Sequence, residues 1–195
     1  MRAMDRSPPT LAVLEVEGVA RAIRAQDTAL KMAEIEVLAS AAVSPGKTVL
    51  IFQGDVASVE ASLEAADRVV GSTRIERVLL HNVDSRVLDA IRGVRSKQAE
   101  PAALAVFESK SVAAAIHGCD AALKCADVEI ERLHLAAGFG GRSFFTLVGE
   151  LSALEASNQA AREAMGEQFL EVELIAAPHP DLTQTSFVRP WSPDP

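Results

Sequence analysis

The stretch "SAAVSPGKTVLIF", Ser40 to Phe52, contains Gly46-Lys47-Thr48, the last three residues of a phosphate-binding loop. The chemistry this suggests is a grip on a nucleotide. That grip needs a second glycine five residues earlier and a helix beginning directly after the loop, so that backbone N–H groups face the phosphates. Ala41 stands where the glycine is required, and Val49-Leu50-Ile51-Phe52 is a β-branched and aromatic run that predicts a strand. The motif is therefore read as a turn and not as a nucleotide site. Cys119 and Cys125 fall in one predicted helix at a spacing that points them apart, and read as small hydrophobes with no disulfide between them. His81, His117, His134 and His179 show no ligand-like spacing with cysteines or carboxylates, so no metal site is assigned. No motif supplies a nucleophile, a base and an orienting group together, which predicts a protein that is not an enzyme and needs no cofactor.

The elements that position the turn become visible through an internal repeat. "LAVLEVEGVARAIRAQDTALKMAEIEV" from Leu11 returns as "LAVFESKSVAAAIHGCDAALKCADVEI" from Leu104, an offset of 93. "PGKTVLIFQGDVASVEASLEAA" from Pro45 returns as "GGRSFFTLVGELSALEASNQAA" from Gly140, an offset of 95. The second copy has thus gained two residues just before its turn, and the SPGKT turn has a partner in Phe139-Gly140-Gly141-Arg142.

Each copy reads as strand, helix, strand, strand, helix, strand, followed by a short helix. In the first copy the strands are expected at 11–16, 35–43, 48–53 and 74–80, and the helices at 19–33, 56–70 and 84–92. Asp55 is placed to cap the second helix. The fold class is α+β: two domains, 11–93 and 102–180, each an antiparallel sheet with helices on one face. The polar stretch "GVRSKQAEP" joins them, with tails at 1–10 and 181–195. The last eleven residues, "TSFVRPWSPDP", hold the lone Trp and three of the nine prolines, which argues against a helix there.

Net charge is −8, from 19 basic and 27 acidic residues with no basic block, which opposes binding to nucleic acid or an anionic membrane. No apolar run reaches the roughly twenty residues of a membrane span, and "MRAMDRSPPT" has no signal-peptide core, so a cytosolic location is expected.

The D-x-A-L-K-x-A-[ED] helix end in both copies, the Gly-basic turn between two inner strands, and "GD" or "GE" opening the next helix together resemble the bacterial microcompartment (BMC) shell domain. The chain is similar to the tandem-domain shell proteins, most of all to the type found in the propanediol-utilisation compartment. The likeness runs from about Leu11 to about His179. It implies two ferredoxin-like βαββαβ domains, a pseudo-hexameric homotrimer, and a place in a microcompartment shell in the bacterial cytoplasm beside other shell proteins, hexamers and pentamers. It also implies that Ser44, Pro45, Gly46, Phe139, Gly140 and Gly141 line a central pore for small polar metabolites. Lys47 and Arg142 would lie just behind them. Lys31 and Lys124 would sit on the outer edge of the tile, clear of the boundary between domains. The arginine that often helps seal that edge is missing from both copies, which read Asn82-Val83-Asp84 and Ala177-Pro178-His179.

Two other readings stay open at this point. One is an electron-transfer tile: the resemblance implies a cysteine and an iron–sulfur cluster where this chain has Ser44. A serine hydroxyl is not the soft anionic ligand a cluster prefers, so none is expected. The other is a small-molecule sensor with the same strand order.

Overall fold

The computed structural model describes residues 9–94 and 101–185. The Trp-bearing tail from 186 onward, most of the connector and residues 1–8 lie outside the described residues. The first repeat forms β1 (Thr10–Glu17), α1 (Ala20–Met32), β2 (Glu36–Val43), β3 (Lys47–Gly54), α2 (Val56–Val70), β4 (Arg74–Leu80) and α3 (Ser85–Ile91). The second forms β5 (Ala103–Ser109), α4 (Val112–Cys125), β6 (Val128–His134), β7 (Ser143–Gly149), α5 (Leu151–Met165), β8 (Phe169–Ala176) and α6 (Pro180–Thr185). Each repeat makes an antiparallel four-stranded sheet, in the orders β2-β3-β1-β4 and β6-β7-β5-β8. The α+β expectation holds. The helix α6 matches α3 and carries the second unit past the expected boundary at 180.

Local chemistry explains the element ends. Asp55 accepts from the Ser58 N–H at 3.0 Å and so caps α2, a contact of about 1 kcal/mol. Ser111 does the same for α4 through Ala114 N–H at 3.1 Å. Small residues let helices approach closely: a Cβ added to Gly118 of α4 would lie 2.6 Å from Met165 of α5. The repeat extends to irregularities, since β1 and β5 change register at the same place, after Glu15 and after Glu108.

The strand β1 is buried from Thr10 to Val16, where a half-exposed sheet would alternate between buried and solvated residues. Both of its faces are covered. Ala12, Leu14 and Val16 join Leu50 and Phe52 beneath α1 and α2. Leu11 and Val13, with Val49 and Ile51, belong instead to the cluster that contains α4 of the second domain. The helix α4 contacts both β1 and β4, so the two repeats share one core.

Candidate functional site: paired turns and the domain junction

The β2–β3 turn is held by the end of β1. Gly46 takes φ +75° and its carbonyl accepts from Gly18 N–H at 2.8 Å. Thr48 Oγ1 donates to Gly18 O at 2.9 Å. Lys47 is 6% exposed, and its ammonium pairs with the fully buried Glu15 carboxylate. Each residue of the Gly-Lys-Thr motif is thereby committed to protein groups, and β3 begins at Lys47 where a nucleotide loop would start a helix. Lys47 stands at the turn, as expected, but its charge is spent on Glu15 and does not face an opening. Arg142, its counterpart, is exposed.

Glu15 also reaches into the second domain, where its Oε1 accepts from Ala113 N–H in the first turn of α4 at 2.7 Å. A carboxylate at a helix N-terminus gains from the aligned N–H groups there, which offsets part of the cost of burying it. Glu76, opposite Glu15 on β4, titrates above the usual carboxylate range; burial is the main cause, opposed by a Ser111 hydrogen bond, with the Glu15 charge adding to the rise and Lys47 countering it.

The two turns meet. A Cβ added to Gly141 would lie 2.9 Å from Ser44 O, 3.0 Å from Pro45 Cδ and 3.4 Å from Lys47 Cε. Gly141 has φ +81°, so glycine suits it on both conformational and spatial grounds. Ser44, Pro45, Gly46 and Gly140 are exposed around this contact. Phe139 packs back on the sheet, edge-on to Phe144 at 5.7 Å and to His134 at 6.1 Å.

At the other end of the junction Asp120, buried on α4, accepts from Asp84 N–H at 2.8 Å and pairs with Lys124 at 2.6 Å. Lys124 also donates to His81 O of the first domain at 3.4 Å. It therefore bridges the two domains, contrary to the expectation that it stands clear of their boundary, because α4 runs its C-terminal end past the β4–α3 loop. Lys31, by contrast, is exposed, with 74% of its side chain accessible and an i,i+4 pair to Asp27.

Arg86 was not legible in sequence. It pairs with Asp84 at 2.8 Å and Glu129 at 3.2 Å, and donates to Val128 O at 2.8 Å and Leu123 O at 3.4 Å. Arg86 thereby ties the start of α3 in the first domain to α4 and β6 in the second. Its guanidinium holds the Asp84 carboxyl below the usual range, against an opposing effect of burial. Cys119 is buried in α4 and desolvation pushes its thiol up, while Cys125 is exposed.

Comparison with known proteins agrees with this architecture. The BMC domain model matches twice, at residues 10–87 and 103–178. A bacterial microcompartment shell protein, PduT of Citrobacter freundii, is 32% identical over 170 residues, covering 87% of this chain and 92% of that one. EutK, a shell protein of Salmonella typhimurium, is 35% identical over a shorter span, 32% of this chain. Among solved structures, a microcompartment protein of Desulfitobacterium hafniense superposes with a TM-score of 0.82 at 31% identity, covering 90% of this chain and 98% of its own. A fused permuted hexameric shell protein of the RMM microcompartment shares the fold, with a TM-score of 0.64 at 21% identity over 84% of each chain. With the domain model matched in both halves, the chain belongs to the bacterial microcompartment shell proteins, of the tandem-domain kind, and its part is that of a structural component of the shell.

Proposed function

We propose that three copies close into a pseudo-hexagonal tile in which six domains surround a threefold axis, with the paired turns around a central pore that passes small polar metabolites. The apposition of the Gly141 turn with Ser44 and Pro45 is the observation that carries this reading, since it brings the corresponding segments of both domains to one point of the chain. Closed rotational symmetry satisfies every interface of two similar but unequal domains. Ser44, Pro45, Gly46, Phe139, Gly140 and Gly141 then line the opening, with backbone N–H groups and the Ser44 hydroxyl as donors. Arg142 supplies the positive charge near it. Lys47 contributes none, being paired with Glu15.

The exposed Lys31 serves the tile's outer edge, toward neighbouring shell hexamers and pentamers, while Lys124 serves the domain junction first. Donors and positive charge in a narrow opening favour anions over cations. Mass measurement should give three chains, and negative-stain images should show discs or sheets. Arg142→Gln should lower anion flux through reconstituted sheets while leaving the trimer intact. Unchanged flux removes the charge argument, and a monomer at micromolar concentration overturns the tile.

A further inference from the structure

A groove runs between α1 and α2 on the helical face of the first domain, away from the paired turns and from the domain junction. Its volume is about 420 Å³, within the roughly 300–1,000 Å³ typical of small-molecule sites. Arg21 and Arg24 of α1 and Arg68 of α2 stand on its rim, over an apolar floor of Ala65 and Val69 that ends at Met32. The start of α1 lies against the end of α2, where Arg21 donates to Val69 O at 3.1 Å. Three guanidinium groups are thereby gathered at one end of the groove in a chain of net charge −8. At about 100° per residue, positions 21, 24 and 32 fall on the side of α1 opposite Val19, Ile23 and Leu30, so the groove faces away from that apolar stripe.

The fold does not demand these arginines. At the repeat offsets of 93 and 95 their places are taken by Ala114, His117 and Glu163. His117 does in the second copy what Arg21 does in the first, bonding to the backbone of Ala164, the equivalent of Val69. Burial holds the His117 pKa below the usual histidine range, so it brings no charge near pH 7. One donor per copy is therefore enough for the last turn of α2 or α5, and Arg24 and Arg68 are surplus to that need. Arg24 also lies in the N-terminal half of α1, where a helix favours negative charge. Its guanidinium has no ion-pair partner among the described residues. Arg68 reaches Glu64 at 3.4 Å, but both side chains are more than half exposed, and such a pair adds little to stability. Glu64 keeps Arg77 at 3.5 Å as well, so Arg68 can turn to another anion without stranding a charge.

We infer that this groove binds a small organic molecule carrying two or more phosphate groups, gripped by Arg24 and Arg68 with Arg21 as a third cation, and with its less polar body laid on Val69 and Met32. Arginine suits that class because its planar fork gives two parallel hydrogen bonds to phosphate oxygens. A lone carboxylate would leave two guanidinium groups unmatched, whereas a diphosphate has charge and oxygens for all three. Each chain has one such site, since Ala114, His117 and Glu163 supply no cation at the equivalent place. The site belongs to a single domain and does not depend on the trimeric reading.

Calorimetric titration of the full chain with ADP, adenosine and inorganic pyrophosphate tests this. ADP should bind at one molecule per chain and more weakly as salt is added, pyrophosphate should bind less tightly for want of an apolar body, and adenosine should give no measurable heat. Arg24→Gln and Arg68→Gln should each raise the ADP dissociation constant about tenfold, as expected for losing a charge-assisted hydrogen bond. Arg92→Gln removes the same charge from an arginine outside the groove and should change nothing. All three positions are exposed, so the variants keep the fold, which melting temperatures check. No heat from ADP at millimolar concentration, equal binding of adenosine, two molecules per chain, or an affinity insensitive to both groove substitutions would each overturn the site. Tighter binding of a short single-stranded DNA than of ADP would also overturn it, by making the groove a nucleic-acid surface.

Discussion

Glu15 and Lys47 make the strongest single demand on the fold. Both charges lie out of water in the shared core, and removing one strands the other. Lys47→Met should cost about 3–5 kcal/mol in denaturant unfolding at neutral pH. Adding Glu15→Gln to it should recover most of that loss, because glutamine can still accept from Ala113 N–H without a charge. A single-variant loss under about 1 kcal/mol would contradict the assignment. Gly141 offers a separate check. Gly141→Ala meets both a positive φ and the Ser44 carbonyl, whereas Gly138→Ala meets only a positive φ, with open space around it. Each should lower stability by about 1 kcal/mol for the backbone, and Gly141→Ala by about 1–3 kcal/mol in all. Equal melting temperatures for the two variants would mean that the turns do not press on each other in solution.

Elements were legible wherever a local signal existed. The repeat, the turn residues and the Asp55 cap were enough to place strands and helices, and Ala41 together with the run Val49 to Phe52 excluded the nucleotide loop. What the sequence did not disclose lies in contacts between distant elements. Glu15 stands among apolar residues of β1, and its partners, Lys47 at the start of β3 and the Ala113 N–H of α4, are distant in sequence and meet it only in the fold. Arg86 opens α3 in no recognisable motif, and its partners across the junction, Leu123 O, Val128 O and Glu129, come from α4 and β6. Lys124 and Lys31 end the same motif, yet one bridges domains and the other is solvated, since α4 packs against the first domain and carries Lys124 to His81 while Lys31 stays exposed on α1.

Arg86→Ala should loosen that boundary by roughly 1–2 kcal/mol, discounted for its partial exposure. Its pH dependence follows from Asp84, whose carboxyl is held low in the folded chain by Arg86. A depressed acid contributes stability that is fully present above its unfolded value, near pH 4, and is lost as pH falls through the lower folded value. Acid unfolding of the unmodified protein should therefore be steeper below about pH 4 than that of Arg86→Ala. Parallel acid transitions would remove Asp84 from the account.

For the whole molecule, the outer edge and the ring contacts should be separable. Lys31→Ala should leave three chains by light scattering but reduce growth into sheets under the microscope, because Lys31 is solvated and its only ion-pair partner among the described residues is four residues away. Loss of the trimer on this substitution would place Lys31 inside the ring interface.

The shared core between β1 and α4 has a kinetic meaning for assembly. In a ring of three chains, every second junction is internal to a chain and forms at an effective concentration set by the covalent link between the domains, whatever the protein concentration. Dilution then acts only on the remaining junctions, and the law of mass action for closure involves three bodies where unfused domains would need six. A cell could lower expression of such a tile far below that of a single-domain one and still recover whole rings.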